Sequence, residues 1–349
     1  MSLNRTRKFT LSIFLVLLLF ACQAPNNNGS FSPPTAAQIP TSTLPPVLIP
    51  PAIPTQTATA APTETFTPTV TATIMPRAHR VLILSIDGLR PDAIAMAPMP
   101  HLLELMQSGA FSLNAQTVYP SITLVAHASM LTGMCPSKHG VDWNDYLPER
   151  GYAQGTDLFD IAHAAGLQTD MYVGKKKLIQ ITEPSSLDNF VFVNDRETIL
   201  MKRLVKEFPQ NFGVLFIHFA TADGMGHSYG WLSQQQLNFL ARDDQVLGQL
   251  LDELDARNLR NDTLIIVTSD HGGHDSTHGS NSAEDMTIPW IAVGPGIQPK
   301  QLTGPVHITD TAATAAFALG LAIPPEWDGV PVYEAFGLPV EKQSIACEQ

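Results

Sequence analysis

Acidic and histidine side chains follow three apolar runs of this chain, and their types are those that bind divalent metal ions. They stand in the segments ILSIDGL, ATADGMGH and IVTSDHGG, and the residues are Asp87, Asp223, His227, Asp270 and His271. Carboxylate and imidazole ligands without thiolate favour a catalytic over a structural zinc site. Each residue alone is a weak signal, because an aspartate at a strand end is commonly a turn former. Their joint occurrence predicts a metal centre.

A hydroxyl residue stands where a β-type run changes to a helical pattern. The run Phe111–Val118 ends at Pro120, and a small-residue helical pattern over Leu124–Leu131 ends at Gly133. Between them Thr123 would lie beside free backbone N–H groups and the positive end of a helix dipole, which is a good place to hold an anion. The alternative is that Thr123 serves only as the N-cap of the helix.

A third histidine, His278, follows in the segment Ser276–Gly279. With Thr123, the set then holds three carboxylates, three imidazoles and one hydroxyl. Two neighbouring divalent ions could bridge a phosphate and stabilise both the attacking and the leaving oxygen. A threonine bound to one ion would lose its proton readily and attack as an alkoxide.

These residues need a scaffold in which several strands end at one edge. Continuous apolar runs predict strands that are buried on both faces, and longer runs with three-and-four spacing predict helices. Strands that alternate with helices imply an α/β fold with a mostly parallel sheet covered by helices on both faces, whose ligands gather at the carboxyl ends of the strands. The predicted strands are 81–86, 111–118, 169–173, 190–193, 213–219, 263–268 and 288–293, and the helices are 100–107, 124–131, 156–165, 196–208, 233–257 and 309–319.

The start of the chain has the features of an export signal. A basic stretch precedes the apolar run Leu11–Phe20, which is too short to span a membrane comfortably. Residues 1–22 resemble a bacterial lipoprotein signal, with cleavage before Cys22 and lipid on its sulfur; an uncleaved signal anchor is the alternative. Both predict a protein outside the cytoplasmic membrane, and the first predicts a lipid anchor in a bacterial membrane or envelope.

Residues 23–78 are dominated by Pro, Thr, Ala and Ser. Such a segment cannot bury enough surface to offset its chain entropy, so we expect a disordered stalk there and a folded domain over 79–349. The formal net charge of −12 argues against nucleic-acid binding through a basic surface. The sequence defines no oligomeric partner.

Three cysteines do not make a disulfide framework. Cys22 is taken by the lipid, while Cys135 and Cys347 could pair in an oxidising compartment. Because sequence separation gives no geometry, we treat both as free.

A series of segments resembles the alkaline phosphatase superfamily, and more closely its type I phosphodiesterase/nucleotide pyrophosphatase branch. The resemblance extends over about Arg80 to Val340 and rests on ILSIDGLRPD, PSITLVAHASMLTGMCPSKHGV, ADGMGHSYG, VTSDHGGH and THGSNSAEDMTIPWIAVGPGI. It implies an alkaline phosphatase-like three-layer fold and a catalytic domain over residues 79–349.

The resemblance also implies a role for each residue. One zinc ion would be held by Asp87, Asp270, His271 and Thr123, and a second by Asp223, His227 and His278. Thr123 would attack phosphorus to give a phosphothreonine intermediate, and a water on the second zinc would hydrolyse it. His274 and His307 compete with His278, which we prefer because a glycine follows it.

Two departures from the branch concern the substrate. Ala126 stands where the branch usually carries an asparagine that contacts a phosphate oxygen. Lys175 and Lys177 resemble a Lys-x-Lys/Arg element of superfamily members that act on dianionic substrates, and they could supply the missing charge. The alternative for these lysines is a solvated basic turn.

The predicted function is zinc-dependent hydrolysis of a small phosphate ester, of phosphodiester or nucleotide pyrophosphate type. A phosphomonoesterase or phosphonoacetate hydrolase-like enzyme of the same superfamily is the alternative, and a surface-displayed binding lipoprotein with a decayed site is the non-enzyme alternative. A sulfatase is disfavoured, because Thr123 and the residues after it lack the Cys or Ser, Pro and Arg of the sulfatase motif.

Overall fold

The strands of residues 77–348, the part of the chain that this computed structural model describes, join into one eight-stranded sheet. In chain order they are β1 (Arg80–Ile86), β2 (Ala110–Gln116), β3 (Gln168–Val173), β4 (Asn189–Phe192), β5 (Phe212–Phe219), β6 (Thr263–Thr268), β7 (Thr287–Val293) and β8 (Lys300–Gln301). Their order across the sheet is β4-β3-β5-β1-β6-β7-β2-β8.

The sheet is mostly parallel, as predicted. β1 lies at its centre and pairs in parallel with β5 and β6, so that Val81 is opposite Val214 on one side and Leu264 on the other. β7 runs antiparallel to both of its neighbours, β6 and β2. Because β7 reverses direction between them, β2 ends at the same edge as β6. The carboxyl ends of β1, β2, β3, β5 and β6 therefore share one edge.

Helices cover the sheet on both faces, which confirms the predicted fold class. They are α1 (Ala93–Met96), α2 (Pro100–Ser108), α3 (Thr123–Thr132), α4 (Pro136–His139), α5 (Leu158–Ala164), α6 (Glu197–Lys206), α7 (Thr221–Tyr229), α8 (Gln234–Ala256), α9 (Ala283–Met286) and α10 (Asp310–Ala318). Short 3₁₀ turns complete several of the connections.

The sheet packs against its helices through two apolar cores, one on each face. Val81 and Ile83 of β1 pack on one face together with side chains of α3, α5 and α10. Leu82 and Leu84 pack on the opposite face with α2, α6 and α8. Successive side chains of a strand point to opposite faces, so a strand with a core on each side needs a continuous apolar run.

Helix α7 was not predicted, although it carries two site residues. Gly224 and Gly226 weaken its helical pattern, because glycine in a helix interior is about 1 kcal/mol less favourable than alanine. A contact from outside the helix compensates for this weakness. The Glu197 carboxylate accepts the backbone N–H groups of Ala220 and Thr221 at 3.0 and 2.7 Å, which satisfies donors at the helix start.

The expectation that Cys135 and Cys347 are free is wrong. Their sulfurs form a disulfide, with Cα atoms 5.5 Å apart and a sequence separation of 212 residues. Cys135 is the N-cap residue of α4, and Cys347 lies near the end of the chain. Only the folded chain brings these residues together, so sequence spacing could not reveal the pair.

Several predictions fall outside the described residues. The signal over 1–22, its lipidation site Cys22 and all but the last two residues of the stalk over 23–78 lie there. Between residues 77 and 348, no helix is both long and apolar enough to cross a membrane. Attachment to a membrane therefore stays a prediction that depends on the first residues of the chain.

Candidate active site

The residues predicted to do chemistry converge at the carboxyl edge of the sheet. Asp87 directly follows β1, and Asp270 and His271 come one residue after β6 ends. Asp223 lies in the first turn of α7, just after β5, and Thr123 begins α3, in the connection that follows β2. This edge is where ligands bind in open α/β sheets.

Asp87, Asp270 and His271 form a first group of ligand atoms, all within 4.8 Å of one another. The three side chains are fully buried. His271 Nε2 lies 3.4 Å from Asp87 Oδ1 and 3.3 Å from Asp270 Oδ2. None of these three atoms has a hydrogen-bond partner within residues 77–348. Buried polar atoms are normally paired, so three that face one another unpaired fit the place of a cation.

Asp223 is the centre of a second group. Its Oδ1 lies 3.4 Å from His227 Nε2 and 3.6 Å from His278 Nε2, and this oxygen has no hydrogen-bond partner in the described part of the chain. Ligand atoms of Asp223, His271 and His278 also lie within 4.8 Å of one another. The two groups therefore adjoin at His271, whose ring stacks on that of His278 with 3.7 Å between centroids.

The three histidines of the cluster are oriented in the same way. In each, Nδ1 lies within hydrogen-bonding distance of a backbone carbonyl; the pairs are His271 with Gly272 at 2.8 Å, His227 with Ser276 at 3.0 Å and His278 with Ser121 at 2.8 Å. A ring that donates through Nδ1 keeps the lone pair of Nε2 free. Metal-binding histidines are commonly held by such a bond from the other ring nitrogen.

The two histidines that compete with His278 in the sequence make other contacts. His274 Nδ1 lies 2.7 Å from Asp285 Oδ1, and His307 Nδ1 lies 2.5 Å from Ser344 Oγ. Only His278 of these three is placed beside Asp223 by the contacts of residues 77–348.

The electrostatics of the cluster also suit bound cations. Burial, together with the charge of Asp87, raises the pKa of Asp270 to about 7. Burial opposes the ionisation of Asp87 as well, but Lys175 and His218 hold the pKa of Asp87 well below its usual range. Carboxylates this close repel one another, and a divalent ion would relieve that repulsion. The oxygen and nitrogen donors therefore fit a divalent metal.

Thr123 is the first residue of α3, and its hydroxyl does not cap the helix. The N-cap position belongs to Ile122, and no side chain caps the backbone there. Thr123 Oγ1 instead accepts a hydrogen bond from Lys175 Nζ at 3.1 Å. The residue is 1% exposed. Its hydroxyl is thus directed toward the charged cluster and away from the helix backbone.

Lys175 connects Thr123 to both ligand groups. It follows β3, and its Nζ lies 2.7 Å from Asp87 Oδ2 and 2.7 Å from Asp223 Oδ2. Burial opposes the charge of this ammonium, but the two carboxylates raise the pKa of Lys175 above its ordinary range. Burial and the charge of Lys175 lower the pKa of Lys177 to about 8. The predicted substrate-binding lysines therefore lie at the site and differ in their electrostatics.

Asn144 belongs to this site and was not predicted. Its Oδ1 accepts the backbone N–H of Leu124 at 3.0 Å and the Nζ of Lys177 at 2.8 Å, which places the amide beside the start of α3. Ala126, where an amide was expected, is fully buried within α3. The sequence shows this asparagine in the segment DWND, but Asn144 is 20 residues from Leu124, so the sequence gives no indication that the two are in contact.

The sheet topology and the cluster at its carboxyl edge match the fold expected for a member of the alkaline phosphatase superfamily. Residues 81–287 match the family described as Type I phosphodiesterase / nucleotide pyrophosphatase. The chain belongs to this family, which confirms the resemblance found in the sequence motifs.

Three relatives illustrate the similarity. The human GPI ethanolamine phosphate transferase 2, catalytic subunit, is 27% identical over 77% of this chain and 29% of its own length. The human ectonucleotide pyrophosphatase/phosphodiesterase family member 5 is 26% identical over 57% of this chain and 46% of its own length. A solved structure of the murine family member 5, an inactive threonine-to-alanine variant in complex with AMP, aligns with a TM-score of 0.61 at 16% identity over 74% of this chain and 99% of that chain.

The chain spans less than half the length of the two human relatives. These proteins therefore contain regions with no counterpart in the matched part of this chain. The similarity establishes the family and the fold.

Proposed function

We propose that the chain hydrolyses phosphate esters of phosphodiester or nucleotide pyrophosphate type, with Thr123 as the nucleophile. The observation that carries this proposal is the position of the Thr123 hydroxyl, which is linked through Lys175 Nζ to carboxylates of both ligand groups. A phosphate at this point would also meet the positive end of α3.

The site suits two divalent ions, and zinc is the proposed metal because the donors are carboxylate oxygens and imidazole nitrogens. The residues that would hold one ion are Asp87, Asp270, His271 and Thr123, and those for the other are Asp223, His227 and His278. Bound ions would neutralise the carboxylates and lower the pKa of the threonine hydroxyl and of a water molecule.

The proposed reaction has two displacements at phosphorus. In the first, the Thr123 oxygen bonds to phosphorus, the bond to the leaving oxygen breaks, and the leaving group takes up the proton that Thr123 loses. In the second, water bonds to phosphorus, the bond to Thr123 breaks, and Thr123 regains a proton. Lys175, whose Nζ lies 3.1 Å from Oγ1, is placed to donate to a phosphate oxygen throughout.

A phosphomonoesterase or phosphonoacetate hydrolase-like enzyme is the second candidate. The observation that favours it is Lys177, whose Nζ lies 2.8 Å from Asn144 Oδ1 and adds a second ammonium near Thr123. A monoester carries one more negative charge than a diester and would benefit more from that cation. A binding lipoprotein with a decayed site is the third candidate, and the convergence of all seven predicted residues in one cluster argues against it.

A substrate panel tests the proposed activity. We expect the zinc-loaded protein to hydrolyse p-nitrophenyl phenyl phosphate and the p-nitrophenyl ester of a nucleoside monophosphate at least about tenfold faster than p-nitrophenyl phosphate, which corresponds to about 1.4 kcal/mol in activation free energy. A Lys177→Met variant should lose more rate on the monoester than on the diesters.

The panel also separates the three candidates. Faster hydrolysis of the monoester would replace the diesterase proposal with the second candidate. Protein that contains about two zinc equivalents yet hydrolyses none of the three substrates would support a binding lipoprotein.

We further propose that the protein is lipid-anchored outside the cytoplasmic membrane of a bacterial cell. The signal pattern that ends at Cys22 supports this location. The disulfide between Cys135 and Cys347 also supports it, because disulfides persist in oxidising compartments.

Replacement of Cys22 tests the anchor. A Cys22→Ser variant should lose its lipid and appear in the soluble fraction of the cell envelope, because the sulfur that would carry the lipid is replaced. Fractionation and metabolic labelling with a fatty acid measure this change, and a Cys347→Ser variant is the control for loss of a different cysteine. Retention of Cys22→Ser in the membrane would indicate an uncleaved signal anchor.

A further inference from the structure

A buried polar layer lies directly beneath the ligand cluster. It consists of Ser85, His127 and His218, all fully buried between the sheet and α3. Ser85 and His218 are opposite each other on the paired strands β1 and β5. The rings of His127 and His218 meet edge to face, with 4.9 Å between centroids. Burial of an imidazole in an apolar core costs free energy unless its ring nitrogens are hydrogen-bonded, so packing alone does not explain these residues.

His127 lies in α3, the helix that Thr123 begins. Its Nδ1 lies 2.8 Å from the backbone oxygen of Thr123, and its Nε2 lies 2.8 Å from Ser85 Oγ. Both ring nitrogens therefore have partners, and the ring joins the first turn of α3 to β1. Nδ1 also lies 3.4 Å from Asp270 Oδ2, so His127 contacts the ligand cluster as well as the backbone of α3.

His218 differs, because only one of its ring nitrogens has a partner. Nε2 lies 2.9 Å from Asp87 Oδ2, and Nδ1 is buried without a hydrogen-bond partner among residues 77–348. A proton on Nδ1 would have no acceptor there, so the ring carries its proton on Nε2 and donates it to Asp87. Of the two ring nitrogens, Nε2 makes this one contact and Nδ1 makes none in the described structure.

That contact determines which oxygen of Asp87 faces the cluster. Asp87 Oδ2 accepts from His218 Nε2 at 2.9 Å and lies 2.7 Å from Lys175 Nζ in an ion pair. Oδ1 has no hydrogen-bond partner in the described part of the chain and lies 3.4 Å from His271 Nε2. Lys175 Nζ also bonds to Thr123 Oγ1 and Asp223 Oδ2, whereas His218 Nε2 bonds to Asp87 alone in the described structure, so His218 is the donor dedicated to Asp87.

We infer that His218 is a positioning residue that holds Oδ1 of Asp87 toward the ligand cluster. This inference rests on the proposed metal-dependent function. A bond from a neighbouring side chain that fixes a metal ligand typically changes metal affinity 10–100-fold when it is removed. The role of His218 is therefore exerted on metal binding and reaches the substrate only through Asp87.

Zinc affinity, measured by competition with a chelating dye, tests the role of His218. We expect His218→Phe to weaken the binding of one of two zinc equivalents by about 10–100-fold, because the ring volume is kept and the donor is lost. His218→Gln, which keeps an N–H donor, should recover most of the affinity. His139→Phe is the matched control, since His139 is equally buried but bonds to Ser129 and Val141.

The outcomes separate this inference from the proposed function. A wild-type protein that binds no zinc would overturn both. Wild-type affinity in His218→Phe, or equal losses in His218→Phe and His218→Gln, would overturn only the positioning role. If the phenylalanine variant does not fold, as judged by near-ultraviolet circular dichroism, the tautomer in the wild-type protein decides. A nitrogen-15 spectrum that shows the proton on Nε2 supports the role, and one that shows it on Nδ1 overturns it.

Discussion

Replacement of Thr123 by alanine is expected to lower kcat for p-nitrophenyl diesters by at least about 1,000-fold. A residue that forms the covalent intermediate cannot be bypassed by its neighbours, and loss of a nucleophile removes most of the catalysis that depends on it. Stability should change little, because Thr123 Oγ1 caps no backbone N–H and bonds only to Lys175 in the described structure. Steady-state kinetics and thermal unfolding of the same preparation measure the two effects.

Two further variants make this result specific. Thr132→Ala, at the other end of α3, removes a buried hydroxyl that bonds to the Ala128 carbonyl, and it should keep its activity. Thr123→Ser keeps a hydroxyl at the same atom and should retain measurable turnover. Mass spectrometry of acid-quenched wild-type protein should show one phosphate on the peptide that contains Thr123. Undiminished turnover in Thr123→Ala would refute the nucleophile assignment.

The sheet was predictable from the sequence because each central strand has a core on both faces. β1, β5 and β6 were recognised as continuous apolar runs, and their ends differ from the predicted bounds by at most one residue. A strand buried on two sides has no freedom to alternate apolar and polar side chains, so its run is unambiguous. The candidate site followed from the same runs, since Asp87, Asp223 and Asp270 each come within four residues of the end of one of them.

What the sequence did not reveal depends on contacts between distant segments. Helix α7 contains Gly224 and Gly226 and depends on a carboxylate from α6. Asn144 reaches the start of α3 from a loop that has no regular pattern. His218 is one residue within an apolar strand, and only the pairing of β1 with β5 brings it to Asp87. Periodicity reports which face of an element is buried and carries no information about such pairs.

Loss of the disulfide between Cys135 and Cys347 is expected to lower the free energy of unfolding by about 2–5 kcal/mol. The bridge closes a loop of 212 residues, and in the chain-entropy model a loop of this length constrains the unfolded state strongly. Hydrogen bonds also hold the C-terminal tail in the folded protein, because Ser344 Oγ lies 2.5 Å from both Asp310 Oδ2 and His307 Nδ1. Removal of the covalent bond should therefore weaken the tail before the sheet.

Urea unfolding of a Cys135→Ser/Cys347→Ser variant measures this effect, with Cys22→Ser as the control that leaves the bridge intact. The midpoint of the double variant should fall, and a reducing agent should lower the wild-type midpoint to the same value without affecting the double variant. Activity of the folded double variant should stay near that of the wild type, because Cys135 follows the C-terminal end of α3, whereas Thr123 begins that helix. Equal midpoints for wild type and double variant in oxidising buffer would show that the bridge contributes no stability.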